Sequence, residues 1–257
     1  AGSTLPTLGT PGEPGRITFT GPDRRFDTRE SMADLTWDPA RNELTWATGY
    51  PAETFGVWVN IAAIASESGF VSAYASGTTR PETSNLNNTV VAGLRVRSNL
   101  APVPLGTGQG ITFFETSPVE LIGGVSAMFG ATGHGLELVD PIRMFDSRSV
   151  GIELAADSIT AVDVGAPLGS TGVLGSVAAI LPGANGFLSV FPCGTDPITS
   201  TINVQAAEVA SNAIVVALGT EGAVCLRPSV DMHAVLDVRG YFSPDGMLEY
   251  QPLTPTR

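Results

Sequence analysis

PIRMFDSR, residues 141–148, repeats PDRRFDTR, residues 22–29, and this pair sets the architecture of the chain. Internal repeats are sought first because missing one misassigns the whole fold. Four further blocks recur in the same order. ESGFVSAYASG (67–77) matches GANGFLSVFPCG (183–194), aligned on Gly69-Phe70 and Gly186-Phe187. SNLN (84–87) matches STIN (200–203), and SNLAPVPLG (98–106) matches SNAIVVALG (211–219). VELIGGVSAMFG (119–130) matches DMHAVLDVRGYF (231–242), aligned on Phe129 and Phe242. The chain therefore reads as two copies of one unit, residues 16–130 and 136–243, with ATGHG (131–135) as the link. Residues 1–15 read as a flexible or extended N-terminal arm. Residues 244–257, ending in YQPLTPTR, read as the opening of a third copy, with Tyr250, Pro252, Leu253, Pro255 and Arg257 in an extended strand.

Each unit reads as β-structure. NAIVVALG is a continuous apolar run, as expected of a strand buried on both faces. AVLDVRGYF alternates, with Val235, Asp237, Arg239 and Tyr241 on one face and Leu236, Val238 and Gly240 on the other. Turn residues punctuate the chain at short intervals, the pattern of a sandwich or barrel. Only NVQAAEVA (203–210) is a helical candidate, of one or two turns. The expected fold is all-β, two tandem homologous β-sandwich domains of jelly-roll-like type, with a barrel or trefoil-like arrangement as the alternatives.

Composition narrows the compartment and partners. Of the 257 residues, 43% are hydrophobic and only 15% charged, enough for a core and too few for charge-driven disorder. The net charge is −12, and all 13 basic residues are arginine. Such a surface repels phosphate backbones, so nucleic acid is not an expected partner. No run of apolar residues is long enough for a membrane-spanning helix, so membrane insertion is not expected either. The start, AGSTLPTLGTPGEPG, is small and flexible, like the trimmed start of a secreted protein. Cys193 aligns with Ser76, and Cys225 with Phe113, both at strand ends on one edge of the unit. In an exported protein they are expected to form a disulfide, two buried thiols being the alternative.

Chemistry-bearing patterns are sparse. His233 lies two residues after Asp231, on the same strand face, but no G-x-S-x-G nucleophile turn accompanies them. GTGQG (106–110) and GTEG (219–222) lack the lysine of a phosphate loop and read as hairpin turns. Asp34, Asp38, Asn42 and Glu43 crowd one loop, read here as polar rather than calcium-binding. Asp27 with Arg29, and Asp146 with Arg148, form the repeated polar motif. The structural reading has the aspartate capping a turn and the arginine pairing locally; the functional one is a ligand-binding ledge. Trp37 and Trp46 flank a turn and form a candidate glycan platform, or core anchors. No catalytic, cofactor or metal residues are assigned.

The blocks PIRMFDSR (141–148), GFLSVFPCG (186–194), SNAIVVALG (211–219) and DVRGYF (237–242) resemble a repeat of secreted and cell-surface proteins from actinobacteria. That resemblance implies an exported module, often repeated or joined to other domains, with no catalytic assignment. Unit one departs from it, with Gly124 in place of the aspartate of D-V-x-G-Y-F and Met128 in place of its tyrosine. The functional expectation is a non-enzymatic, extracellular or cell-surface structural protein. It would assemble with copies of itself into a filament or layer through terminal strand exchange. The alternative is a carbohydrate-binding or adhesion module recognising a cell-surface glycan.

Overall fold

A computed structural model of the chain describes residues 14–90, 93–197 and 199–253. The first unit contains β1 (Arg16–Asp27), β2 (Leu35–Asp38), β3 (Glu43–Ala47), β4 (Thr54–Ala65) and β5 (Gly69–Ala75). It continues through β6 (Leu86–Asn88), β7 (Arg95–Pro104), β8 (Gly110–Glu115) and β9 (Val119–Gly130). The second contains β10 (Gly135–Asp146), β11 (Thr160–Asp163), β12 (Gly172–Ile180) and β13 (Gly186–Pro192). It closes with β14 (Ile202–Val204), β15 (Val209–Ala217), β16 (Ala223–Pro228) and β17 (His233–Ser243).

The strands form four antiparallel sheets, ordered β1-β9-β4-β7 and β2-β3-β8-β5-β6 in unit one, β10-β17-β12-β15 and β11-β16-β13-β14 in unit two. In each unit the chain passes repeatedly from one sheet to the other, the exceptions being the consecutive pairs β2/β3, β5/β6 and β13/β14, which stay in one sheet. That is the strand order of a jelly roll. Unit one adds β2 as an extra edge strand. Each sandwich closes over its own core. Val57, Val59, Ile61, Ile111, Phe113 and Val125 are fully buried in the first, and Val164, Val173, Leu188, Leu226, Leu236 and Val238 in the second. Along β9 and β12 buried and half-buried positions alternate, as a strand with one core face requires.

The Pro-x-Arg opening is a bulge. β1 slips register against β9 between Phe19 and Asp23, and again between Arg24 and Phe26. β10 slips at the matching places against β17, between Leu138 and Ile142 and between Arg143 and Phe145. Pro22 and Pro141 sit inside the first slip, where a missing N–H breaks no ladder bond. The second slip turns Phe26 into the core beside Trp46 and Phe113.

Two expectations are corrected. No helix forms over 203–210: β14 ends at Val204, β15 begins at Val209, and the Glu208 N–H donates to the Gln205 carbonyl across a turn in which Ala207 has φ 57°. The ladder to β12, which runs from Ile180↔Val209 onward, satisfies that backbone better than one helical turn would. The segments 106–110 and 219–222 are not hairpins either. Each carries a short 3-10 turn, Thr107–Gln109 and Thr220–Gly222, between strands of opposite sheets.

Cys193 and Cys225 form the expected disulfide. Counting from these matched turns, Cys225 corresponds to Thr112 rather than Phe113. The Ser76 and Thr112 hydroxyls, 3.0 Å apart, form in unit one the link that the disulfide makes in unit two. The bridge closes a separation of 32 residues, worth roughly 3–4 kcal/mol in the chain-entropy account. The double substitution Cys193→Ser with Cys225→Thr should keep the fold and its circular dichroism while lowering the melting temperature of the protein. An unchanged melting temperature would show that the bridge adds nothing to stability.

Candidate functional site

The repeated polar motif folds the same way in both units. The Arg29 N–H donates to Asp27 Oδ1 at 3.1 Å, closing a turn at the end of β1. The Arg29 side chain then grips the same carboxylate with Nε to Oδ1 at 2.9 Å and Nη2 to Oδ2 at 2.6 Å. Arg148 repeats this on Asp146 at 3.0, 2.9 and 2.7 Å. The Arg29 hydrogen bonds hold the Asp27 carboxyl below its ordinary range, and the Arg148 hydrogen bonds bring Asp146 down to about 2. Both carboxylates are thus committed to their own turn.

The hydroxyl between each pair is also structural. Thr28 Oγ1 accepts from the Leu121 N–H and donates to Glu120. Ser147 Oγ accepts from the Ala234 N–H and lies 2.9 Å from His233 Nδ1. Asp231, expected on the same face as His233, instead accepts from the Ala156 N–H, so Ser147, His233 and Asp231 do not form a relay. In the loop of Asp38 and Glu43, both carboxylates pair with Arg41, and Glu43 also accepts from the Tyr74 hydroxyl.

Trp37 and Trp46 do not make a platform. Trp46 is 2% exposed and packs on Phe26, whereas Trp37 is 41% exposed at the edge strand β2. Both point to the core face, but β2 lies at the margin of the sheet, so only Trp46 is covered. A residue that sequence reasoning passed over is Glu115, at the end of β8. Burial, with a smaller contribution from the Glu120 charge, pushes its carboxyl up to about 7. A raised pKa belongs to an environment that no spacing motif encodes.

The two units meet at an organised junction. Ile17, Leu100, Ala127 and Phe129 of unit one form a third apolar core with Val215 and Phe242 of unit two, flanked by Trp58, Leu136, Leu174 and Ala213. By the repeat, Ile17 matches Leu136, Trp58 matches Leu174, Leu100 matches Ala213, and Phe129 matches Phe242. The units meet through equivalent faces. Phe19 of β1 sits so close over Gly172 that a Cβ there would lie 2.1 Å from its ring. The polar fringe is not symmetrical. The Leu100 N–H donates to Asn212 Oδ1 at 2.8 Å, Asn212 Nδ2 donates to Asn60 Oδ1 at 2.9 Å, and Asn60 Nδ2 donates to the Ser200 carbonyl at 2.7 Å. Arg95 and Arg97 both hold Glu208. Burial raises that carboxyl, but Arg97 and Arg95 outweigh it and hold it below the ordinary range.

The segment expected to leave the molecule lies across this junction. Tyr250 and Gly15 exchange two backbone hydrogen bonds of 2.8 Å, and Leu248 and Leu136 exchange two of 2.8 and 3.0 Å. Arg16 Nη2 donates to the carbonyls of Pro244 and Gly246, and its Nε to that of Gly133. The Tyr250 ring lies 5.2 Å from Trp58 and 4.9 Å from Phe129, centroid to centroid. Pro252 is buried and Leu253 exposed; Pro255 and Arg257 lie outside the described residues. Leu248 and Tyr250 roof an apolar cavity of about 110 Å³ whose walls include Trp58, Leu174 and Phe242. That is below the 300–1,000 Å³ of ordinary small-molecule sites, and too small for a sugar ring with its hydroxyls.

No protein-family model matches the chain, and no curated protein matches it. Among solved structures it is similar to the N-terminal CBM22-1–CBM22-2 tandem domain of Xyn10C from Paenibacillus barcinonensis. The match covers 94% of this chain and 100% of that one, at 8% identity and a TM-score of 0.23. At that score the jelly-roll assignment rests on strand order and not on the likeness.

Burial pushes the Tyr250 hydroxyl up to about 12 from its ordinary 10.0. The folded state therefore keeps this proton where the unfolded chain loses it, so stability falls as pH rises from 10 to 12. The melting temperature should drop more steeply across that window in the natural protein than in Tyr250→Phe. Equal slopes would mean that the ring is not sequestered. Tyr250→Ala should cost about 3 kcal/mol, as for other buried aromatic truncations, and red-shift tryptophan emission from Trp58.

Proposed function

We propose that the chain is a non-enzymatic structural module of an exported protein, two jelly rolls clamped into one rigid body. The observation that supports this best is the junction. Equivalent apolar faces are buried against each other, fringed by Asn60, Asn212 and Glu208, and strapped by the segment around Tyr250. Tandem domains joined by a small polar interface move relative to one another, whereas a large apolar one holds them fixed. The disulfide favours an oxidising compartment, and the resemblance to secreted actinobacterial repeats points the same way. No described helix is long and apolar enough to cross a membrane.

The strand-exchange route to filaments finds no support, because Leu248 and Tyr250 satisfy their backbone groups within the same chain. Contacts with further copies would need another surface. Scanning calorimetry should show one cooperative transition for both units, and sedimentation a particle of 26.5 kDa. Glu208→Gln should lower the transition and broaden it. Two separate transitions in the natural protein would overturn the rigid-body reading.

A glycan-binding role is the second reading, and it now rests on Trp37 alone, a half-exposed indole on an edge strand. Glycan-array binding that disappears in Trp37→Ala would support it. Binding unaltered by that substitution, or none at all, would remove it.

A further inference from the structure

The two units differ at one position where the repeat makes a comparison possible inside a single molecule. Arg143 stands directly opposite Asp237 across β10 and β17, and Arg24 directly opposite Gly124 across β1 and β9. Directly opposed residues of antiparallel strands project from the same face. In unit two Arg143 Nε and Nη2 grip the Asp237 carboxylate at 2.9 and 3.3 Å. Its third nitrogen, Nη1, reaches Asp146 at 3.4 Å. In unit one Arg24 Nη1 makes the matching contact to Asp27 at 3.2 Å and lies 3.5 Å from Glu30. Arg24 Nε and Nη2, the edge that would meet a carboxylate opposite, have no protein acceptor among the described residues.

The space that this edge faces is open. A Cβ built at Gly124 would meet only the Asp23 carbonyl oxygen, at 3.7 Å, an ordinary contact. Gly124 is therefore not there to relieve a clash. Its missing side chain leaves a recess of about 30 Å³, bounded by Arg24 and Gly124 on unit one and by Thr199 and Ser200 on unit two, with Asn60 at its side. The recess lies at the junction and has room for a carboxylate headgroup, not for a large ligand.

We propose that this recess is a carboxylate-binding site, in which a small organic carboxylate takes the place that the Asp237 side chain fills in unit two. The guanidinium fork supplies two parallel N–H donors, the geometry that a carboxylate matches and a spherical anion does not. Because Thr199 and Ser200 belong to the other unit, an occupied site also bridges the junction.

The test uses the full chain and acetate as the probe, followed by the Nε–H resonance of Arg24, assigned by its loss in Arg24→Lys. Acetate should shift that resonance saturably, leave the Arg143 Nε–H unmoved, and have no such effect in Gly124→Asp, where the introduced carboxylate fills the site. Gly124→Asp itself should fold, since its Cβ meets no obstruction. Chloride at equal ionic strength should produce a smaller, non-saturating shift. The proposal is overturned if acetate gives no saturable shift, if Gly124→Asp shifts equally, or if chloride reproduces the acetate effect.

Discussion

The structure depends on burying the outward face of one sheet in each sandwich. A jelly roll closes one face of each sheet over its own core and leaves the other to solvent. In unit one that second face carries Ile17, Phe19, Trp58 and Leu100, too apolar to leave wet. Unit two presents Leu136, Leu174 and Ala213 at the positions of Ile17, Trp58 and Leu100, and Phe242 at that of Phe129. The remedy is mutual burial. Once those faces meet, the link at residues 131–134 has to run beside β1, where His134 and Ile17 exchange backbone hydrogen bonds. The chain after β17 is then drawn over the seam by Arg16, Gly15 and Leu136.

The burial also explains how the repeats have diverged. A duplicated unit that packed without regard to its copy would be free to keep every position alike. Here the Asn60–Asn212 pair and the Arg95–Glu208–Arg97 cluster exist on one side only, because the fringe of the junction is not symmetrical even where its core is. Asn212 has a counterpart in Asn99, which keeps only the local bond to the Asn85 carbonyl. The two copies of one amide therefore play different parts: one closes a loop, and the other closes a loop and spans the units.

The opening motif shows a further division of labour. Proline permits the bulge, arginine and aspartate fix the turn that follows, and the hydroxyl between them ties β1 to β9 or β10 to β17. Asp27, Thr28 and Arg29, like Asp146, Ser147 and Arg148, are satisfied without a ligand; the exception is the arginine ahead of them in unit one, Arg24. What differs is the residue across the strand: Asp237 completes the arrangement in unit two, and Gly124 leaves it open in unit one. Cross-strand partnership, and not proximity in sequence, decides whether the arginine is occupied.

The sequence by itself determined the repeat, the β-class and the order of blocks. Alternation along a strand and the recurrence of turn residues are local properties, written in adjacent residues. It also paired Cys193 with Cys225, and was one residue out only in the unit-one counterpart of Cys225, which is Thr112 and not Phe113. Tertiary structure alone decided the fate of Trp37, Trp46 and Tyr250, the three aromatics read in the sequence as glycan platform or assembly tail. Whether an aromatic is platform, core or clasp is set by which sheet lies over it, and that sheet is distant in sequence: Trp46 meets Phe26 and, through it, Phe113, while Tyr250 meets Trp58 and Phe129 of the other unit. The same holds for residues 248–250. Their likeness to a first strand was legible in the letters, but their partners, Gly15 and Leu136, come together only after both sandwiches have closed.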